Sequence, residues 1–384
     1  MKRVIQSTIG KLLLATVILI TINSCNKELP TATPILYPKN GDTTMFGLLN
    51  RDTSLSFYRA AVVKAGLTNL FNDNTTIFTA FIPNNNAFIA SGITSIGIIN
   101  ILPVATVTAI VNYSIIPGEQ FVDTLNAVTT GFPNVQLPSY LTIASIPGTA
   151  LPINMPIFPS KRPSGFWANN IPVISSNKRV QNGIVHIVAA IVNPPSTTLS
   201  SLITSDPNLT IFNALIARAD SGQTPGTLGQ LAYVLAYPVA NLTVFAPTNL
   251  AFKTYINAAS GGLIPVAAPD AFFIAFINNP AYVSVQTARG LVVYHLMPYR
   301  AFSVNFPTTP QTTPPFFPTL LNQAIPTHPG VRVQATIFSG FGISLAVTGI
   351  GNGNNAAIAN APSNLDKNAI NGVEHIIDRV LLPQ

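Results

Sequence analysis

Residues 371–384 read NGVEHIIDRVLLPQ, and residues 182–195 read NGIVHIVAAIVNPP. Each stretch opens on Asn-Gly, a strong turn signal. Each then runs into a β-branched strand pattern with one histidine, His186 or His375, and is closed by proline, Pro194 or Pro383. The two stretches lie 189 residues apart. A recurrence at that distance points to two copies of one structural unit.

Two further pairs keep the same order. TAFIPNNNAF at 79–88 lies over TVFAPTNLAF at 243–252, and IVNYSIIPGE at 110–119 lies over LVVYHLMPYR at 291–300. In the first pair Pro83 and Pro247 end a short strand, because proline cannot donate to a sheet ladder. Asn84 and Thr248 then suit a helix N-cap. Asn85 and Asn249 recur in register behind them. In the second pair Tyr113 matches Tyr294, and Ser114 stands where the second copy has His295.

Together these motifs resemble the fasciclin domain family. Its domains carry such a strand–Pro–helix segment, a central Tyr-His pair and a terminal Asn-Gly-x-x-His strand ending in Leu-Pro. The second copy is the closer match, and Ser114 departs from the pattern in the first. The resemblance implies an α+β fold of two tandem fasciclin-like domains, 41–195 and 198–384. Each would be a β-sandwich-like wedge flanked by short helices. Pro83, Asn85, Tyr113, His186, Pro247, Asn249, Tyr294, His295 and His375 are then structural motif residues.

Composition agrees with a packed, turn-rich chain. Of 384 residues, 48% are apolar and only 8% charged, and 33 are proline. Disordered chains have the opposite balance. The formal charge is +7, but removal of Lys2, Arg3 and Lys11 leaves 16 basic residues against 12 acidic ones. No basic run remains to form a nucleic-acid footprint.

The opening MKRVIQSTIGKLLLATVILITINSC has a basic start and an apolar run from Leu12 to Ile22. That run is too short to span a bilayer, which takes about 20 residues, and it suits a signal-peptide core. The run stops before Cys25, the one cysteine of the chain. This resembles a bacterial lipoprotein signal, which implies cleavage after residue 24 and lipidation of Cys25. Residues 26–40 read as a Pro-punctuated tether. The expected location is the cell envelope, anchored by lipid, in the outer membrane of a Gram-negative bacterium.

Catalytic patterns are missing from the sequence. His186, His295, His328 and His375 have no metal-ligand spacing. The chain has no G-x-S-x-G elbow, no phosphate loop and no paired-carboxylate pattern of a glycosidase. The expectation is a protein that is not an enzyme, with no metal and no cofactor. Binding is the better reading. Long Pro- and aromatic-rich stretches occupy 151–170 and 301–321, and long irregular segments are often functional. Phe166 and Trp167, with Lys161 and Arg162 at the rim, are the first candidate ligand anchors. Phe316 and Phe317 are the second. The expected role is adhesion or recognition of an extracellular protein or glycan. The alternative is an accessory glycan-binding lipoprotein of an outer-membrane polysaccharide uptake system.

Overall fold

The computed structural model describes residues 41–122, 134–143, 152–308 and 314–384. Cys25, the signal and the 26–40 tether lie outside the described residues. In the first domain the helices are α1 Met45–Arg51, α2 Ser56–Lys64, α3 Thr68–Asn72, α4 Asn85–Ala90, α5 Ile96–Ile101 and α6 Val104–Tyr113. Its strands are β1 Phe78–Pro83, β2 Ile115–Pro117, β3 Leu137–Ile143, β4 Ile153–Ile157, β5 Pro159–Arg162, β6 Gly165–Ala168, β7 Ile171–Val180 and β8 Gly183–Val188. The second domain has α7 Leu199–Ser205, α8 Thr210–Ala219, α9 Leu231–Ala236, α10 Asn249–Ala259, α11 Asp270–Asn278, α12 Val285–Tyr294 and α13 Leu321–Ala324. Its strands are β9 Leu242–Pro247, β10 Leu296–Met297, β11 Phe316–Phe317, β12 Val331–Phe338, β13 Phe341–Thr348, β14 Ala357–Asn360, β15 Lys367–Ala369 and β16 Gly372–Ile377.

The repeated motifs meet in space. Strand β1 pairs in parallel with β8, with Phe81 opposite His186. Strand β9 pairs in parallel with β16, with Phe245 opposite His375. Every residue of β9 and β16 is buried, as parallel strands covered on both faces are. The glycines make the parallel approach possible. A Cβ on Gly183 would lie 1.7 Å from the Phe78 carbonyl oxygen, and one on Gly372 would lie 2.3 Å from that of Leu242. The tight turns are therefore Gln181-Asn182 and Ile370-Asn371, and each glycine is the first strand residue.

The asparagines beside them act as staples. Asn182 Oδ1 accepts from Met45 N at 2.8 Å, and its amide donates to the Phe71 carbonyl at 3.0 Å. Asn371 does the same for the second domain, accepting from Leu199 N at 2.9 Å and donating to the Leu235 carbonyl at 2.8 Å. Each staple ties two helices to the sheet and satisfies backbone groups that burial would otherwise strand. The expected N-caps form as well. Asn84 accepts from Ala87 N at 2.9 Å, and Thr248 accepts from Ala251 N at 3.1 Å.

The first domain carries a six-stranded sheet in the order β2-β1-β8-β7-β6-β5, beside the pair β3-β4. The second splits its strands into β10-β9-β16-β15 and β11-β12-β13-β14. In the second domain one core lies between the helices and the first sheet, around Phe212, Val244 and Ile376. Another lies between the two sheets, around Phe245, Val333 and Leu345. The first domain repeats this division. The architecture is α+β, with sheets wrapped by short helices.

Candidate functional site

The motif histidines are locked into the backbone. His186 Nδ1 accepts from Asn177 N at 3.2 Å, and Nε2 donates to the Gln120 carbonyl at 2.8 Å. His375 Nδ1 accepts from Asp366 N at 3.2 Å, and Nε2 donates to the Ala301 carbonyl at 2.9 Å. Each ring stacks on the phenylalanine opposite it, Phe81 or Phe245. In both copies the residue donating to Nδ1, Asn177 or Asp366, has a left-handed backbone. Burial pushes the His186 imidazole down to about 4 and lowers that of His375.

The central pair is also buried. His295 Nδ1 donates to the Leu291 carbonyl at 2.8 Å, and Nε2 accepts from Leu381 N at 2.9 Å. Burial pushes its imidazole down to about 4. Ser114 fills the corresponding place in the first domain. Its hydroxyl lies 2.7 Å from the Tyr58 hydroxyl and bonds the Val111 carbonyl at 2.8 Å. Tyr113 donates to the Pro156 carbonyl at 3.1 Å, and Tyr294 to that of Gly330 at 2.8 Å. Asn85 and Asn249 link the strand–Pro–helix segment to the preceding helices. Asn85 accepts from Phe57 N at 3.0 Å, and Asn249 from Ile211 N at 3.0 Å. Among the described residues no three His, Cys, Asp or Glu side chains come close enough to hold a metal ion.

The first candidate anchors are corrected by the structure. Residues 159–168 form the hairpin β5–β6, not an irregular surface loop. Side chains alternate across β6, so Phe166 and Trp167 point to opposite faces. Phe166 enters the first domain's core against His186, with ring centroids 5.2 Å apart. Trp167 packs instead with Phe302, Val304 and Val373 of the second domain. It is 1% exposed, and its indole N–H donates to the Gly340 carbonyl at 2.7 Å. Arg162 donates to the Asn305 carbonyl of the second domain. Lys161 is half-buried on β5. A buried indole committed to a neighbouring domain offers no face to a ligand.

This seam contains a residue that sequence reasoning missed. Arg300 is fully buried, and its guanidinium lies 4.6 Å over the Phe158 ring across the seam. It donates to Asn241 Oδ1 at 3.0 Å, Asn368 Oδ1 at 2.9 Å and the Ile370 carbonyl at 2.9 Å. Desolvation pushes it down to about 10. Its own carbonyl accepts from Asn134 of the first domain at 2.8 Å. The alignment of LVVYHLMPYR with IVNYSIIPGE, which sets Arg300 against Glu119, was the available signal.

The second candidate pair lies elsewhere. Phe317 is buried between the sheets, edge-on to Phe306 at 5.3 Å. Phe316 is 36% exposed, and Arg332 sits 4.4 Å over its ring. Strands β12 and β13 bury Val331, Val333, Ala335, Leu345 and Val347. Their other face therefore presents Arg332, Gln334, Thr336, Ser344 and Thr348, beside Phe316.

The fasciclin domain family model matches residues 53–194 and 207–383, well over half of the chain. Comparison with curated proteins gave no match. Among solved structures the chain is similar to a domain pair from the insect cell adhesion molecule Fasciclin I. That likeness has 16% identity and a TM-score of 0.36, and it covers 85% of this chain and 96% of that one.

Proposed function

The chain belongs to the fasciclin domain family, and from that premise we propose that it is a lipid-anchored recognition protein of the cell envelope. Fasciclin domains are associated with adhesion and recognition in general. The family alone does not choose a ligand, so the surface must. The supporting observation is the open face of the second domain's β11–β14 sheet. Phe316 supplies an apolar plate, Arg332 a cation held against it, and Gln334, Thr336 and Ser344 a row of hydrogen-bonding groups. Aromatics and arginine are the usual anchors of interfaces. The same set suits a sugar ring and its hydroxyls. The partner is an extracellular protein or glycan, reached from the outer membrane of a Gram-negative bacterium through acyl chains on Cys25. Multiple chains hold a protein on a membrane far more firmly than one. Among the described residues no helix is long and apolar enough to cross a membrane.

A glycan array and a pull-down from envelope extract, both with the full chain, identify the partner. Phe316→Ala is expected to cost about 2 kcal/mol of binding or more, with the melting temperature nearly unchanged because the ring is partly exposed. Undiminished binding by this variant would remove the sheet face from the reading. Cys25→Ser is expected to abolish incorporation of labelled palmitate and partitioning into detergent. Equal labelling of mutant and wild type would remove the anchor.

A further inference from the structure

Helices α8, α10, α11 and α12 line a half-open pocket of about 280 Å³ in the second domain. Leu215, Phe252, Ile256, Phe276, Ile277 and Leu291 form most of its wall. Ser260 and Thr287 also line it, but their hydroxyls are already bonded, to the Asn257 carbonyl at 2.9 Å and to Ser284 Oγ at 2.8 Å. An apolar pocket of this kind suits an apolar ligand. At the rim Tyr282, 65% exposed, stacks flat on Phe276 with centroids 4.8 Å apart. Leu263, at 86%, is exposed nearby in the chain.

The pocket lies beside a second cleft of about 930 Å³, and the two share Tyr255, Thr287 and Leu291. Its lining is largely apolar but carries the polar side chains Gln286, Arg289, Gln323 and His328. Both His328 ring nitrogens are committed, to the Pro383 carbonyl and to Gly330 N, so this ring is a wall. Arg289 donates through Nη1 to the Gly229 carbonyl at 3.0 Å and lies 3.8 Å from Asp220. Its other N–H groups have no partner among the described residues. Tyr255 lines both pockets, and its hydroxyl has none there either.

The pocket belongs to the second domain's added length. Pro83 and Tyr113 are 30 residues apart, whereas Pro247 and Tyr294 are 47 apart. Helix α10 has 11 residues where its counterpart α4 has 6. Tyr255, Ile256 and Ala259 lie in those extra turns. Helix α11 has 9 residues where α5 has 6. Extra chain that built only a core would close on itself, whereas this segment leaves a pocket next to a cleft that carries polar groups. Ligand sites combine such apolar walls with a few polar groups that fix orientation.

We propose that the second domain binds a single-chain fatty acid. Its alkyl chain fills the pocket. Its carboxylate lies in the neighbouring cleft, accepting from Arg289 and from the Gln286 and Gln323 amides, with Tyr255 lining both. This site shares no residue with the sheet face around Phe316, so either can fail without the other.

Titration calorimetry with decanoate tests the site. The full chain carries Cys25→Ser, so that no acyl chain of its own competes. Saturable binding at one site is expected, with decanol at least about tenfold weaker than decanoate. Ala259→Trp and Thr287→Trp, both at exposed positions on the pocket wall, are expected to weaken decanoate at least about tenfold. Their circular dichroism and melting temperature should match the parent, and two plugs guard against one that misfolds. Absence of binding by the parent, or equal binding by both folded plugs, would overturn the site. Decanol binding as tightly as decanoate would overturn the carboxylate assignment.

Discussion

Each motif histidine accepts at one ring nitrogen and donates at the other, so the fold needs the neutral ring. Protonation would break the bond from Asn177 to His186, or from Asp366 to His375, and bury a charge. With folded values near 4 for His186 and His295 against an ordinary 6.5, the sign is set. Their stability is fully present above pH 6.5 and is lost as pH falls toward 4, on the order of 3 kcal/mol each. Glu374 runs the other way. It is buried on β16 with Lys367 Nζ 3.4 Å away, and burial pushes its carboxyl from 4.5 up to about 7. Stability from its protonated form is present below pH 4.5 and is lost as pH rises to 7. Between pH 4.5 and 7 the two effects oppose each other in the wild type. Glu374→Gln leaves only the histidine effect, so its loss of stability on acidification should be steeper. At pH 8 the variant is expected to be about 2–3 kcal/mol more stable than wild type. Urea unfolding at pH 8, 6 and 4.5 reads both effects. A variant with the wild-type slope would show that Glu374 is ionised throughout.

Strand β6 shows what an element can do with four residues. Its alternation sends Phe166 into one domain and Trp167 into the other. Trp167→Ala would leave a cavity in the seam and the Gly340 carbonyl unpaired. The expected cost is about 3–5 kcal/mol, and the wild-type indole should emit blue and resist iodide. Red-shifted, quenched emission would contradict the packing described above. The strand–Pro–helix and Asn-Gly strands were legible in the sequence because their signals are local. Proline ends a strand, an asparagine or threonine caps the next helix, and the same letters return 164 residues after Thr79 at Thr243. Strands β5 and β6 were not legible, since four residues between prolines and glycines give no usable period. The burial of Trp167 depends on Gly340, 173 residues away, and no window of sequence contains both. The same limit hid the role of Asn182 and Asn371. Their letters signalled a turn, while their side chains serve helices more than 100 residues earlier.

At the scale of the whole molecule, the connector is weaker than the seam it accompanies. Residues 191–198 have neither helix nor strand, whereas Phe158, Trp167, Phe302, Val304 and Arg300 are all buried where the domains touch. Cutting a protease site placed within 193–198 is therefore expected to leave the halves associated on gel filtration. The 41–195 half alone should show a red-shifted, quenchable tryptophan, and adding the 198–384 half should restore the blue emission. Separate elution with an unchanged spectrum would show that the seam contributes little. The seam also bears on inheritance. The two halves still carry the marks of duplication in every motif, but β6 now presents one face to each of them. A copy moved alone into another protein would expose an indole, an unpaired carbonyl or a guanidinium that its neighbour now covers. The pair, rather than the single domain, is the unit that recombination can transfer intact.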